Sequence, residues 1–137
     1  MKHLLKPYNN STNSTRQEVI RMANQHQLDL LTQGREAWNA WRQQHPDVQP
    51  DFSHARLRGA RLGGVDLNGA SFREADLSGA DFAGATLVKA DLSGADLTGV
   101  CFRGADLSEA NFSGADMRLA TLEGADLNGV DLTNTKK

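Results

Sequence analysis

ADLSG ADFAG ATLVK ADLSG ADLTG, residues 75–99, is one five-residue unit laid end to end five times. A small apolar residue opens each copy, a large apolar residue stands third, and Gly or Lys closes it. The pattern extends in both directions without a break. Every fifth residue from Phe52 to Leu132, seventeen positions in all, is Phe, Leu or Met. The sixteen opening positions from Ala55 to Val130 hold only Ala or Val, with Val confined to Val65, Val100 and Val130. Asp fills the slot before the large residue ten times, and Gly fills eleven of the slots two after it.

A period of five matches neither the 3.6 of an α-helix nor the 2.0 of a strand, so neither element keeps both apolar registers on one face over this length. The chain must therefore turn once per unit. The Gly slot suits such a turn because it tolerates positive φ, and the Asp or Asn slot suits it because a short polar side chain bonds nearby backbone groups. The large residue and the Ala or Val then point inward.

Residues 50–134 resemble the pentapeptide repeat family, whose unit is a small apolar residue, Asp or Asn, Leu or Phe, and two mostly small polar residues. The resemblance implies an all-β fold, a right-handed quadrilateral β-helix of about four coils, with four units and twenty residues per coil. At the usual strand spacing the stack is roughly 20 Å tall. The placement of Phe fits a twenty-residue coil: Phe52, Phe72 and Phe112 fall in one column, and Phe82 and Phe102 in the opposite one. With Leu92 and Leu97 these residues are the expected dry core, and a charge at Leu92 or Leu97 should unfold the middle coils.

Three parts follow: a disordered tail over 1–14, a cap of two helices over 15–49, and the β-helix over 50–135. The tail is rich in Asn, Ser and Thr with no apolar period. Ser14 or Thr15 opens a capping box for a first helix that ends near Gly34, and a second helix over about Arg35–Gln44 carries Trp38 and Trp41 before Pro46 and Pro50 stop it. The first coil of a solenoid exposes an apolar cross-section and unpaired edges, and Leu28, Leu31, Trp38 and Trp41 are placed to cover it. The same leader resembles one that precedes pentapeptide repeats in bacteria, especially photosynthetic ones. Trp38 and Trp41 are also candidates for docking a partner.

No side-chain constellation points to catalysis, a cofactor or a metal. His3, His26, His45 and His54 are scattered, Cys101 has no partner cysteine, and no nucleophile, phosphate-loop or dinucleotide motif is present. On a twenty-residue coil Asp76, Asp96 and Asp116 stack in one column and Asp106 and Asp126 in another. The repeat itself accounts for them, and a convex wall offers no cleft, so the chain is not expected to be an enzyme. Charge is graded: residues 51–64 carry Arg56, Arg58 and Arg61 against Asp51, whereas residues 65–134 hold four basic and twelve acidic residues. Such an acidic wall serves either as a solvated surface that keeps a repeat protein soluble or as a recognition face for a basic protein, and the Asp76, Asp96, Asp116 column is where the second reading falls.

The expected function is a non-catalytic interaction module, with an acidic face, a helical cap or both turned to an unknown protein partner; the resemblance to the family implies, as one form of this, a regulator of a transcription factor. The resemblance also offers an alternative, a DNA mimic acting on a type II topoisomerase, although those mimics are long rods joined tail to tail. Direct nucleic-acid binding is disfavoured by the acidic later coils. No apolar run reaches the roughly 18–20 residues of a membrane span, and the first residues lack a signal-peptide core, so the expected location is cytoplasmic. Leu127, Val130 and Leu132 lie near an edge that nothing covers, which leaves a monomer or a homodimer through the C-terminal edge.

Overall fold

A computed structural model describes residues 16–137, with side chains from residue 24 onward. The predicted tail over 1–14 and the capping-box residues Ser14 and Thr15 lie outside the described residues. Helix α1 spans Arg16–Thr32 and helix α2 spans Arg35–Gln44. Between them Gly34 takes φ 113°, a conformation open to Gly, and the chain reverses there. Helix α2 stops at His45, immediately before Pro46, as the ring of proline requires.

From Asp51 to Lys136 every β-bridge is parallel and joins residues twenty apart. The bridges sort into four ladders, one per wall of a square solenoid. Wall 1 holds Asp51, Ser71, Asp91, Asn111 and Asp131, and wall 2 holds Arg56, Asp76, Asp96, Asp116 and Lys136. Wall 3 holds Arg61, Asp81, Cys101 and Thr121, and wall 4 holds Asp66, Thr86, Asp106 and Asp126. The hydrogen bonds repeat from coil to coil: the Phe52 amide donates to the Ser71 carbonyl at 2.7 Å, and the Asp76 amide donates back to Ala55 at 2.9 Å. Each wall contributes only one bridge residue, because the chain turns again after five residues. The Ala55 amide closes such a turn by donating to the Phe52 carbonyl at 3.0 Å.

The turn dictates a left-handed residue two after each large one. Where Gly is missing from that slot the residue present adopts the same φ: His54, Glu74, Lys89, Glu109, Leu119 and Asn134 lie between 57° and 64°. Leu119 is the apolar member of this set and is 82% exposed.

All seven residues predicted for the core, Phe52, Phe72, Phe82, Leu92, Leu97, Phe102 and Phe112, are at most 1% exposed. Phe52 stacks on Phe72 at 5.2 Å and Phe82 on Phe102 at 5.3 Å, as a twenty-residue coil requires. Edge-to-face contacts from Phe72 to Phe82 and from Phe102 to Phe112, at 5.9 and 5.8 Å, cross the interior and join the two columns. Such pairs add about 0.5–1.5 kcal/mol each beyond the area they bury. At the far end Leu127 and Leu132 are partly open to solvent.

Candidate interaction surfaces

The slot before each large residue builds the surface. Its side-chain oxygen accepts the amide two residues on: Ser78 donates to Asp76 Oδ1 at 3.1 Å, Ser93 to Asp91 at 3.0 Å, and Asn128 to Asp126 at 3.0 Å. Where Ser or Thr follows, its hydroxyl donates to the same oxygen, at 2.6 Å from Thr98 to Asp96 and 2.7 Å from Ser108 to Asp106. These bonds favour the ionised acid. They hold the carboxyls of Asp76, Asp106 and Asp131 below the usual carboxylate range, through Ser78, Ser108 and Thr133 respectively. Asp116 falls furthest, to about 2, because Arg118 grips it from side chain and backbone together.

The structure brings Asp76, Asp96 and Asp116 together as one ladder on wall 2, as the sequence implies. It also surrounds them with cations that a reading of the column alone overlooks. Arg58 lies 3.8 Å from Asp76, and Arg118 binds Asp116 through two nitrogens at 2.9 and 2.6 Å. Arg56 begins the ladder and Lys136 ends it. Like charges stacked about 4.8 Å apart repel by on the order of 1 kcal/mol per pair in water, and the arginines offset that here.

Counted from each bridge residue to the corner that follows, the walls differ in sign. Wall 1 carries Asp51, Glu74, Asp91 and Asp131 against Arg73, and wall 4 carries Asp66, Asp106, Glu109 and Asp126 against Lys89. Both are strongly acidic, and they are adjacent. Wall 2 sets Arg56, Arg58, Arg118, Lys136 and Lys137 against three Asp and is net basic. Wall 3 balances Arg61 and Arg103 with Asp81 and Glu123.

At the other candidate surface, the cap, Trp38 is 0% exposed. Its ring meets Phe52 at 5.6 Å and its Nε1–H donates to the Asp66 carbonyl at 2.6 Å. Trp38 is therefore part of the interior and offers no surface to a partner. Trp41, half-buried, packs on Trp38 at 5.1 Å and is overlain by His45 at 4.7 Å. Leu31 is buried beside them and Leu28 packs against the same cluster.

Two residues without a sequence signal complete the cap. Asn39 receives the Asp66 amide at 2.8 Å and donates to the Gly64 carbonyl at 3.1 Å. Arg42, 6% exposed, donates to the carbonyls of His45, Val48 and Asn68 at 3.2, 2.7 and 3.2 Å. Arg42 thus ties the last turn of α2, the connecting segment and the first coil through one guanidinium. Among the described residues no group of three or more His, Cys, Asp or Glu is placed to hold a metal ion, and no helix is long and apolar enough to cross a membrane.

This architecture, four ladders around a dry core of stacked Phe and Leu, is that of a quadrilateral solenoid. The family model for pentapeptide repeats matches residues 51–136 in 8 copies, and the chain belongs to that family. Its proteins fold as right-handed quadrilateral β-helices. A solved pentapeptide repeat protein from the cyanobacterium Cyanothece 51142 is 34% identical, with TM-score 0.61 over 63% of this chain and 59% of that one. The chain thus spans less than two thirds of that relative. Another, from Nostoc Pcc 7120, is 39% identical with TM-score 0.38 over 64% of this chain and 69% of that one. A third, from the thylakoid lumen of Arabidopsis thaliana, is 33% identical with TM-score 0.41 over 64% and 68%. No curated protein matches.

Proposed function

We propose that this protein is a rigid, non-catalytic interaction module that presents acid to a basic protein partner from walls 1 and 4. The observation that carries the reading is the segregation of charge onto two adjacent walls. The carboxylates there are also held in place before any partner arrives. In Asp66, Asp106, Asp126 and Asp131 the turn engages Oδ1, and no described hydrogen bond or ion pair occupies Oδ2. A group already fixed loses little freedom on binding, so more of the contact energy appears as affinity. The column Asp76, Asp96, Asp116 is the weaker face, because Arg58 and Arg118 already occupy two of its three carboxylates.

Mimicry of DNA for a type II topoisomerase is less well supported. A duplex is anionic on all sides, whereas wall 2 is net basic and wall 3 is balanced. The reading includes a cytoplasmic protein, monomeric or paired through the edge at Leu127 and Leu132.

The test is affinity capture from the native host with wild type, a wall 4 variant (Asp106→Asn, Glu109→Gln, Asp126→Asn) and a wall 2 variant (Asp76→Asn, Asp96→Asn, Asp116→Asn). Asn preserves the turn, as Asn111 does by accepting the Ser113 amide at 2.9 Å. A basic partner lost only with the wall 4 variant supports the reading. Loss only with the wall 2 variant moves the contact to the column, and a partner indifferent to both sinks the acidic-face account.

A further inference from the structure

A coil inside the stack receives hydrogen bonds from the coil beneath it, and the first coil has none beneath. The groups it turns toward the cap are the amides of the bridge residues, their carbonyls, and the carbonyls two residues on. The cap meets those of wall 4: Asn39 takes the Asp66 amide, Trp38 donates to the Asp66 carbonyl, and Arg42 donates to that of Asn68. On wall 1 Gln27 takes the Asp51 amide at 2.9 Å. On walls 2 and 3 no partner among the described residues meets the amides of Arg56 and Arg61, or the carbonyls of Arg56, Arg58, Arg61 and Gly63. These groups are spaced as a β-ladder and have no partner among the described residues.

The same edge borders a recess of about 290 Å³ beneath the turn between α1 and α2, walled by Leu31, Gly34, Leu57, Ala60 and Leu62, with Arg61 on its rim. Arg56, Arg58 and Arg61 are exposed, and neither Arg56 nor Arg61 has an ion-pair partner among the described residues. Unpaired ladder groups, an apolar recess beside them and a cationic rim define one kind of occupant.

We propose that the cap-side edge of walls 2 and 3 is a β-augmentation site that takes an extended, acidic segment of a partner protein. The segment occupies the place of a missing coil. Its carbonyl receives the Arg56 amide, its amides donate to the Arg56 and Arg58 carbonyls, and its carboxylates meet Arg56 and Arg61. An apolar side chain one residue past the bridge position then lies under Leu57 or Leu62 and enters the recess, since large residues stack at that step throughout the solenoid. Main-chain bonds supply affinity in this mode and the pocket supplies selectivity. Residues 1–15 of this chain carry Lys2 and Lys6 and no carboxylate, so charge favours a partner over the chain's own leading residues. The site is separate from walls 1 and 4 and does not depend on their function.

The probe is a fluorescein-labelled nine-residue peptide alternating acid with Leu or Val, titrated against the full chain by anisotropy, with amide spectra recorded in parallel. Arg56→Pro removes the outward amide together with the guanidinium and leaves the main-chain bonds to the next coil intact, because Asp76 bonds to Ala55 and Leu57 rather than to residue 56. Pro is tolerated on a sheet edge, and Arg56→Gln separately removes only the charge. Saturable binding, amide shifts confined to residues 56–63, and at least a tenfold loss with Arg56→Pro, Arg61→Glu or an N-methylated peptide are expected. Absence of binding at 1 mM peptide, or binding unchanged in every variant, overturns the proposal. Slow exchange of the Arg56 and Arg61 amides in the free chain also overturns it, because the edge is then already covered.

Discussion

Replacing Trp38 with Ala removes the side chain that joins the cap to the stack, and the structure gives the size of the effect. Trp38 is completely buried, with its ring between Trp41 and Phe52. Truncating a buried aromatic of this size costs about 3–5 kcal/mol through lost transfer energy and the cavity left behind. The 2.6 Å bond to the Asp66 carbonyl goes as well, and a buried acceptor without its donor costs about 1–3 kcal/mol. Trp38→Phe separates the two contributions, since it keeps most of the packing and loses only the N–H. Urea unfolding followed by far-UV circular dichroism should show a loss of about 4–8 kcal/mol for Trp38→Ala and about 1–3 kcal/mol for Trp38→Phe. A loss below about 1 kcal/mol for Trp38→Ala would refute the assignment of this residue to the core.

Arg42→Ala leaves three carbonyls around α2 without their donor and should cost about 2–4 kcal/mol in the same assay, with Arg42→Lys recovering little because one ammonium cannot span them. Leu97→Asp places a carboxylate in a fully buried slot and should abolish the cooperative transition, whereas Leu97→Met should retain it. Leu119→Gly relieves an apolar residue at φ 64° and should gain about 1 kcal/mol, read as a rise in the urea midpoint. Acid should destabilise the fold. The carboxyls of Asp76, Asp106, Asp116 and Asp131 are depressed in the folded chain, so their contribution is complete above the ordinary carboxylate pKa of about 4 and is lost as pH falls toward 2. The melting temperature should therefore drop across that window, and less steeply in Asp116→Asn; a flat profile contradicts the assignment.

The stack was legible because a five-residue period admits one register: each large residue from Phe52 to Phe112 lands in the interior where its spacing puts it. Helix α2 was legible for a similar reason, with Gly34 before it and Pro46 after it. The acidic face was only half legible. Asp76, Asp96 and Asp116 do align, but Arg58 and Arg118 stand two positions further along the same wall, and their effect emerges only when the coil is closed and each wall is read across its width. Asn39 and Arg42 carry no periodic signal at all, since what they bind are backbone groups of the first coil. The pairing of Trp38 and Trp41 marked the cap, yet spacing alone could not tell a core residue from an exposed anchor. Burial of Trp38 against Phe52 decides it.

The claim that acid is segregated onto walls 1 and 4 can be measured without any partner. Amide relaxation enhancement by a cationic nitroxide and by its neutral counterpart, at low salt where surface fields are least screened, reports the local potential residue by residue. The ratio of cationic to neutral enhancement is expected to be highest around Asp106, Glu109, Asp126 and Asp131 and low around Arg58, Asp76 and Arg118. A ratio as high along the Asp76, Asp96, Asp116 ladder as on wall 4 would contradict the account.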